Sequence, residues 1–318
     1  MKNIFDKIFP FKGATECTYM RVKSNIALLG GMIVFVFLMI ELVIGFNFLK
    51  KAGIIKMPEE KGAKVKVMRF DEEITIDTYR RFIDNMDKFK KDDDVKAVVI
   101  VFNSGGGSPA ASDDIAHYIL DFKKKKPVYA YVQSICASGA YYIASSATKI
   151  YSNPTGIVGS IGVLLPHYNI GKLAGTLGVN EDYVAAGKHK VPISMFRELS
   201  KEDKEYLKNN LLSPTYWTFK NFVAENRNLS KEQIDKLAEG IIYTGAMKEV
   251  QGTLIDGTTS LIAFKNDLVK EIAEKHNVKE DDVKWDAFDL KQKKKVGLLG
   301  VNVDVASKLS LPNTKPLF

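Results

Sequence analysis

The sequence predicts an α/β fold with a largely parallel sheet, behind one membrane-spanning helix, and three observations predict it. Short β-rich runs alternate with apolar residues at helical spacing, the pattern of a sheet with crossover helices. One run, Val98 to Phe102, is apolar without interruption, as a strand covered on both faces must be. The 21 residues from Ile26 to Phe46 carry a single charge, Glu41.

Composition narrows the class. Of 318 residues, 46% are apolar and 26% charged, with a mean hydropathy of −0.09, which excludes disordered, collagen-like and polytopic membrane chains. The net charge of +8 rests partly on Lys and Arg flanking the apolar segment. No helix-turn-helix, zinc-finger or RNP pattern accompanies it, so no nucleic-acid partner is expected. Cys17 and Cys136 lie on opposite sides of that segment, and a disulfide between them would have to cross a membrane. No Cys/His metal spacing occurs, and no metal or cofactor is expected.

At 1.5 Å per residue the apolar segment makes about 31 Å of helix, close to the hydrocarbon thickness of a bilayer. It is too long for a signal-peptide core and lacks a small-x-small cleavage site. Glu41 lies near the outer end, where its carboxylate can reach the interface. Lys2, Lys7, Lys12, Arg21 and Lys23 precede the segment and Lys50, Lys51, Lys56 and Lys61 follow it, so charge alone does not orient it. The expected organisation is an N-terminal segment 1–25, a spanning helix 26–48, a linker 49–63, a soluble domain 64–290 and a tail 291–318.

Within the soluble domain, strands are expected at 64–70, 95–102 and 127–134. Tyr79, Phe82, Ile83, Met86 and Phe89 mark one helix, and Ile115 to Phe122 another. Ser200 and Ser230 read as helix N-caps, the latter with Gln233 at capping-box spacing. The chain beyond about residue 200 reads as largely helical.

Two turns could carry chemistry. Gly105, Gly106 and Gly107 follow the buried strand and precede a helix starting near Ala111, which places backbone N–H groups where an anion or developing oxyanion can sit. A Walker loop is excluded because Gly-Lys-Ser/Thr is missing. After the next strand, Cys136-Ala137-Ser138-Gly139-Ala140 makes a tight turn that puts Ser138 at a helix N-terminus. An ordinary N-cap serine would look the same. A nucleophile needs a base, yet His117, His167, His189 and His276 show no triad spacing. A lysine base must be neutral, which asks a drop of about three units from 10.4, or about 4 kcal/mol of desolvation and neighbouring positive charge.

The blocks NSGGGSPAAS, ICASGAYYIAS, PTGIVGSIGV, GKHKVPIS and GTLIDG resemble, in order and approximate spacing, the signal peptide peptidase A group, membrane-bound Ser/Lys proteases of peptidase family S49. The resemblance covers about residues 64 to 260. It implies the fold of the Clp protease and crotonases, a spiral of β-β-α units. It implies Ser138 as nucleophile, Lys190 as general base and Ser160 as the hydroxyl orienting the lysine, with the amides of Gly139 and of Gly107 or Gly106 as oxyanion hole. It also implies a homo-oligomer, eight chains by family analogy, acting on signal peptides or other membrane-associated peptides. The catalytic domain would then be extracytoplasmic, on a single-pass anchor in the plasma or inner membrane.

Three positions depart from the family pattern. Gly105 replaces a proline, loosening the turn by about 0.4–1 kcal/mol. Ala140 replaces a second glycine after the nucleophile. Val191 stands where an acidic residue commonly follows the lysine, so choosing Lys190 over Lys188 rests on the His-Lys pair. The competing readings are a crotonase-like acyl-CoA enzyme, which would need neither Ser138 nor Lys190, and a catalytically degenerate membrane scaffold.

Overall fold

The computed structural model describes residues 16–51 and 62–289. It divides into two units, Met1–Glu60 and Lys61–Phe318. The start of the N-terminal segment, most of the linker and the expected tail 291–318 lie outside the described residues.

The first unit contains α1, Glu16–Lys51. Its apolar window, Leu28–Gly45, is long enough to cross a membrane and has none of its residues buried. The helix continues past the expected span 26–48 at both ends.

In the second unit the expected alternation appears. In order come β1 (Ala63–Phe70), α2 (Ile76–Lys91), β2 (Val95–Ser104), α3 (Pro109–Phe122), β3 (Val128–Ala137), α4 (Gly139–Ser145), β4 (Lys149–Ser152) and β5 (Ile157–Gly159). After these follow α5 (Gly171–Thr176), α6 (Lys201–Leu207), a π turn (Lys208–Leu212), α7 (Ser213–Arg227), α8 (Lys231–Leu237), β6 (Ile242–Thr244), β7 (Gly257–Thr258), α9 (Leu261–His276) and β8 (Val283–Asp289). The sheet runs β6-β5-β3-β2-β1-β8, with β4 also beside β3 and β7 beside β4. Every pairing is parallel except β5 with β6.

The alternation of β2 explains the two-sided core. Val98, Ile100 and Phe102 face one layer with α2, α3 and α4, while Ala97, Val99 and Val101 face the other, with Phe264, Leu268 and Ile272 of α9. Phe102 is fully buried and stacks on Phe70 at 5.4 Å between ring centres; truncating such a ring costs about 3–5 kcal/mol. Ser200 and Ser230 both cap helices, in capping boxes with Asp203 and Gln233, each worth about 1 kcal/mol.

The region beyond residue 200 is less purely helical than expected. β8 returns to pair with β1, Ala63 against Val283 through Arg69 against Asp289. Its Val-Lys-Trp-Asp-Ala-Phe alternation was the available signal.

Candidate active site

β2 and β3 end side by side, Ser104 paired with Cys136, so the two candidate turns meet at the carboxyl edge of the sheet. The glycine turn needs its glycines. A Cβ on Gly106, whose φ is 106°, would lie 2.9 Å from Ser138 Cβ and 2.7 Å from Gly139 N. A Cβ on Gly107 would lie 2.2 Å from Ile74 O. The turn is tied down by Ile74, whose N–H donates to Gly106 O (2.9 Å) and whose carbonyl accepts from Ser108 N (2.8 Å). Gly106 N–H itself donates to Ser104 Oγ at 3.3 Å. Among the described residues Gly107 N–H has no acceptor, which separates the two glycines the sequence left open.

Ser138 occupies the N-cap position of α4, but its side chain makes no cap hydrogen bond. That removes the ordinary N-cap explanation. Its backbone is strained, with φ 52° and ψ −128°, a conformation that costs a non-glycine residue about 1–3 kcal/mol. The strain is fixed by Ser138 N donating to Gly159 O (3.0 Å) and Tyr142 N donating to Ser138 O (3.0 Å). Gly139 N–H, first in the helix, has no acceptor among the described residues. Gly139 packs so closely that an added Cβ would lie 2.4 Å from Ser112 Oγ and 3.3 Å from Gly107 N. Two unspent amides thus stand together beside a free serine hydroxyl, a geometry able to hold an oxyanion during attack on a carbonyl.

Ser160 follows the last pair of β3 and β5, Ala137 with Gly159, and shares the φ of 52°. Its N–H donates to Ile241 O at 2.8 Å. Ser138, Ser160, Gly107 and Gly139 are therefore brought together within one chain.

Lys190 is not brought to them. It is exposed, in a turn closed by its N–H donating to Gly187 O (3.1 Å), and its ammonium has no ion pair or hydrogen bond among the described residues. Lys188, the alternative base, spends its ammonium on Glu202.

The other titratable candidates are engaged elsewhere. Cys136 is fully buried, and desolvation pushes its thiol well above the ordinary range, the opposite of an activated nucleophile. His117 does have a carboxylate neighbour, Asp113 at 3.4 Å, one turn back on α3. That pair was not legible as a triad, and it is bonded to neither Ser138 nor Ser160. His167 Nε2 contacts Ser194 O at 2.8 Å, His189 stacks on Tyr206, and burial lowers the His276 pKa.

Strained serine, unspent amides and parallel sheet together define a hydrolase-type site, and comparison with known proteins gives the family. The profile of Peptidase family S49 matches residues 121–279, half of the chain and the part that holds Ser138, Ser160 and Lys190. The chain belongs to peptidase family S49. It is 37% identical over 204 residues to "Putative protease MJ0651" of Methanocaldococcus jannaschii, covering 64% of each chain. It is 32% identical over 179 residues to "Putative signal peptide peptidase SppA" of Enterococcus faecium, covering 56% of this chain and 52% of that one. The matched part thus spans less than two thirds of either relative. Among solved structures it is similar to the 1510-N membrane protease specific for a stomatin homolog from Pyrococcus horikoshii, at 14% identity and TM-score 0.43, over 77% of this chain and 98% of that one.

Proposed function

We propose that the protein is a membrane-anchored serine endopeptidase that uses a Ser/Lys dyad to degrade remnant signal peptides or other membrane-associated peptides. The observation that carries this reading is Ser138: strained, uncapped, and next to the unspent amides of Gly107 and Gly139. Lys190 takes the proton of Ser138, and the serine oxygen attacks the scissile carbonyl. The two amides hold the oxyanion, the lysine returns the proton to the leaving amine, and water releases the acyl-enzyme by the reverse sequence. Ser160, across the strand pair, orients the lysine amine.

A base lysine must be desolvated, yet Lys190 is exposed in the single chain. The desolvating surface therefore comes from a second copy, and the site is shared within a homo-oligomer, with eight chains the expectation by family analogy. Apolar side chains support this: Leu164, Tyr168, Leu173, Leu177 and Val184, on the stretch between β5 and α6, are 79, 77, 63, 72 and 104% exposed, more than an isolated surface normally shows. α1 anchors the protein in the plasma or inner membrane, with the catalytic domain extracytoplasmic.

The test is cleavage of a fluorogenic peptide by full-length protein in detergent, with labelling by a serine-reactive phosphonate. Cleavage and labelling by wild type, both lost in Ser138→Ala, are the expected results. Equal activity in Ser138→Ala overturns the reading.

A further inference from the structure

The Lys190 turn lies in a long excursion between β5 and α6 whose only regular element among the described residues is the short α5. A turn in such a segment has no sheet or helix to fix it. Yet its residues are tied, one after another, to α6. Lys188 pairs with Glu202. The His189 ring lies flat on Tyr206, with ring centres 4.1 Å apart and planes at 4°. Val191 O accepts from Arg197 Nη2 at 2.6 Å, and Arg197 Nη1 donates to Asp203 Oδ2 at 2.8 Å. Asp203 is itself the capping-box partner of Ser200. The residues on either side of Lys190 are held, while its own ammonium is left unengaged.

α6 is in turn held to the body of the domain. It continues through the π turn into α7, where Phe219, Phe222 and Val223 enter the main core. Phe222 stacks on Tyr142 of α4, with ring centres 4.2 Å apart, and α4 is the helix that Ser138 begins. One helical rod thus joins the base-bearing turn to the element bearing the nucleophile.

We propose that Glu202, Tyr206 and the Arg197–Asp203 pair are positioning residues that aim Lys190, a reading that rests on Lys190 as the general base. They touch neither substrate nor reacting atoms. Their effect is to remove freedom from the turn, so that the lysine amine is presented at one place; misplacing a catalytic group by about 1 Å can cost 100-fold in rate.

The test is peptide-cleavage kinetics of full-length protein carrying Tyr206→Phe, Tyr206→Leu, Glu202→Gln or Lys190→Ala, with melting temperature and oligomer size measured in parallel. The phenyl ring keeps the stack, so Tyr206→Phe should stay within about twofold of wild type. Tyr206→Leu should lower kcat by about 10- to 100-fold with KM, melting temperature and oligomer size unchanged. Glu202→Gln, on an exposed side chain, should lower kcat by a few fold in the same way. If Lys190→Ala is inactive but Tyr206→Leu and Glu202→Gln cleave at the wild-type rate, the positioning role is overturned while the lysine base stands. Loss of kcat only in proportion to lost folded protein also overturns it. If Lys190→Ala itself retains full activity, the base assignment and the positioning role fall together.

Discussion

Ser138 and Ser160 stand one residue beyond Ala137 and Gly159, the last paired positions of two neighbouring parallel strands, and both have a φ of 52°. The positive φ turns both strands off the sheet edge at the same level, and the Ser138 N–H to Gly159 O bond of 3.0 Å locks the two together. A side chain at either position tolerates a conformation that glycine would adopt freely. Under the proposed mechanism, strain of this kind at two neighbouring serines is the cost of placing their hydroxyls for nucleophilic attack and for orienting the base.

That strain gives the first prediction. Ser138→Gly and Ser138→Ala should both abolish peptide cleavage. Ser138→Gly should also be the more stable of the two, by about 1 kcal/mol, because glycine relieves the positive φ and alanine does not. Denaturant melts of both variants decide it; equal stability would mean that the backbone at Ser138 is not strained.

The glycine turn makes a second pair of predictions. Gly107→Ala forces a Cβ to within 2.2 Å of Ile74 O, so it should destabilise the domain and abolish activity together. Nothing lies within 4 Å of a Cβ on Gly105, and its φ is not in the left-handed range. Gly105→Ala should therefore raise stability by about 0.4–1 kcal/mol through the unfolded chain and keep activity. A loss of activity in Gly105→Ala would place a catalytic contact at that residue.

These contrasts also mark what the residues reveal before folding. The two-sided burial of β2 is written in five consecutive apolar residues, and the caps at Ser200 and Ser230 in their three-residue spacing. β8 is harder to read because its partner β1 lies more than 200 residues earlier, and pairing across that separation leaves no local signature beyond alternation. The Gly106 and Gly107 amides are indistinguishable in sequence; only the bond from Gly106 to Ser104 Oγ separates them. The hold of α6 on the Lys190 turn depends on an ion pair, a stacked pair of rings and a guanidinium bridge between loop and helix, none of which spacing alone specifies.

Acid should loosen that hold in a defined range. The Arg197 guanidinium, followed by Ser200, holds the Asp203 carboxyl at about 2, below its ordinary 3.8. A depressed carboxylate stabilises the fold fully above its unfolded pKa and loses that contribution as pH falls through its folded one. The contribution of Asp203 should thus persist at pH 5 and disappear between about pH 4 and 2. The difference in melting temperature between wild type and Asp203→Asn, measured from pH 6 to pH 2, should shrink over that interval. A constant difference would show that the Asp203 charge is not the cause.

The base assignment predicts that Lys190→Arg is inactive, because a guanidinium stays protonated and cannot accept the serine proton. Lys188→Ala should lower activity only by the few fold expected of Glu202→Gln, since that ammonium is committed to Glu202. Loss of activity in Lys188→Ala with Lys190→Ala tolerated would exchange the two roles.

The last prediction concerns the boundary between chains. Within one chain Ser138 and Ser160 are adjacent, but the Lys190 ammonium is bonded to neither, and the stretch carrying it exposes Leu164, Leu173, Leu177 and Val184. Burying such side chains at about 25 cal/mol per Å² favours association, and the same burial would strip water from Lys190 and make the neutral amine attainable. Inactive Ser138→Ala and inactive Lys190→Ala proteins, mixed under conditions where subunits exchange, should therefore regain activity. Every interface that pairs an intact serine with an intact lysine is competent, so random mixing of equal amounts sets the recovery at about a quarter of the wild-type rate, as mass action over a closed ring of identical interfaces requires. Polar substitution of Leu173 and Leu177 should shift the protein to monomer and lose activity in step. Exchange proven by fluorescence transfer with no activity regained, or a stable monomer cleaving at the full rate, would place serine and lysine within one chain.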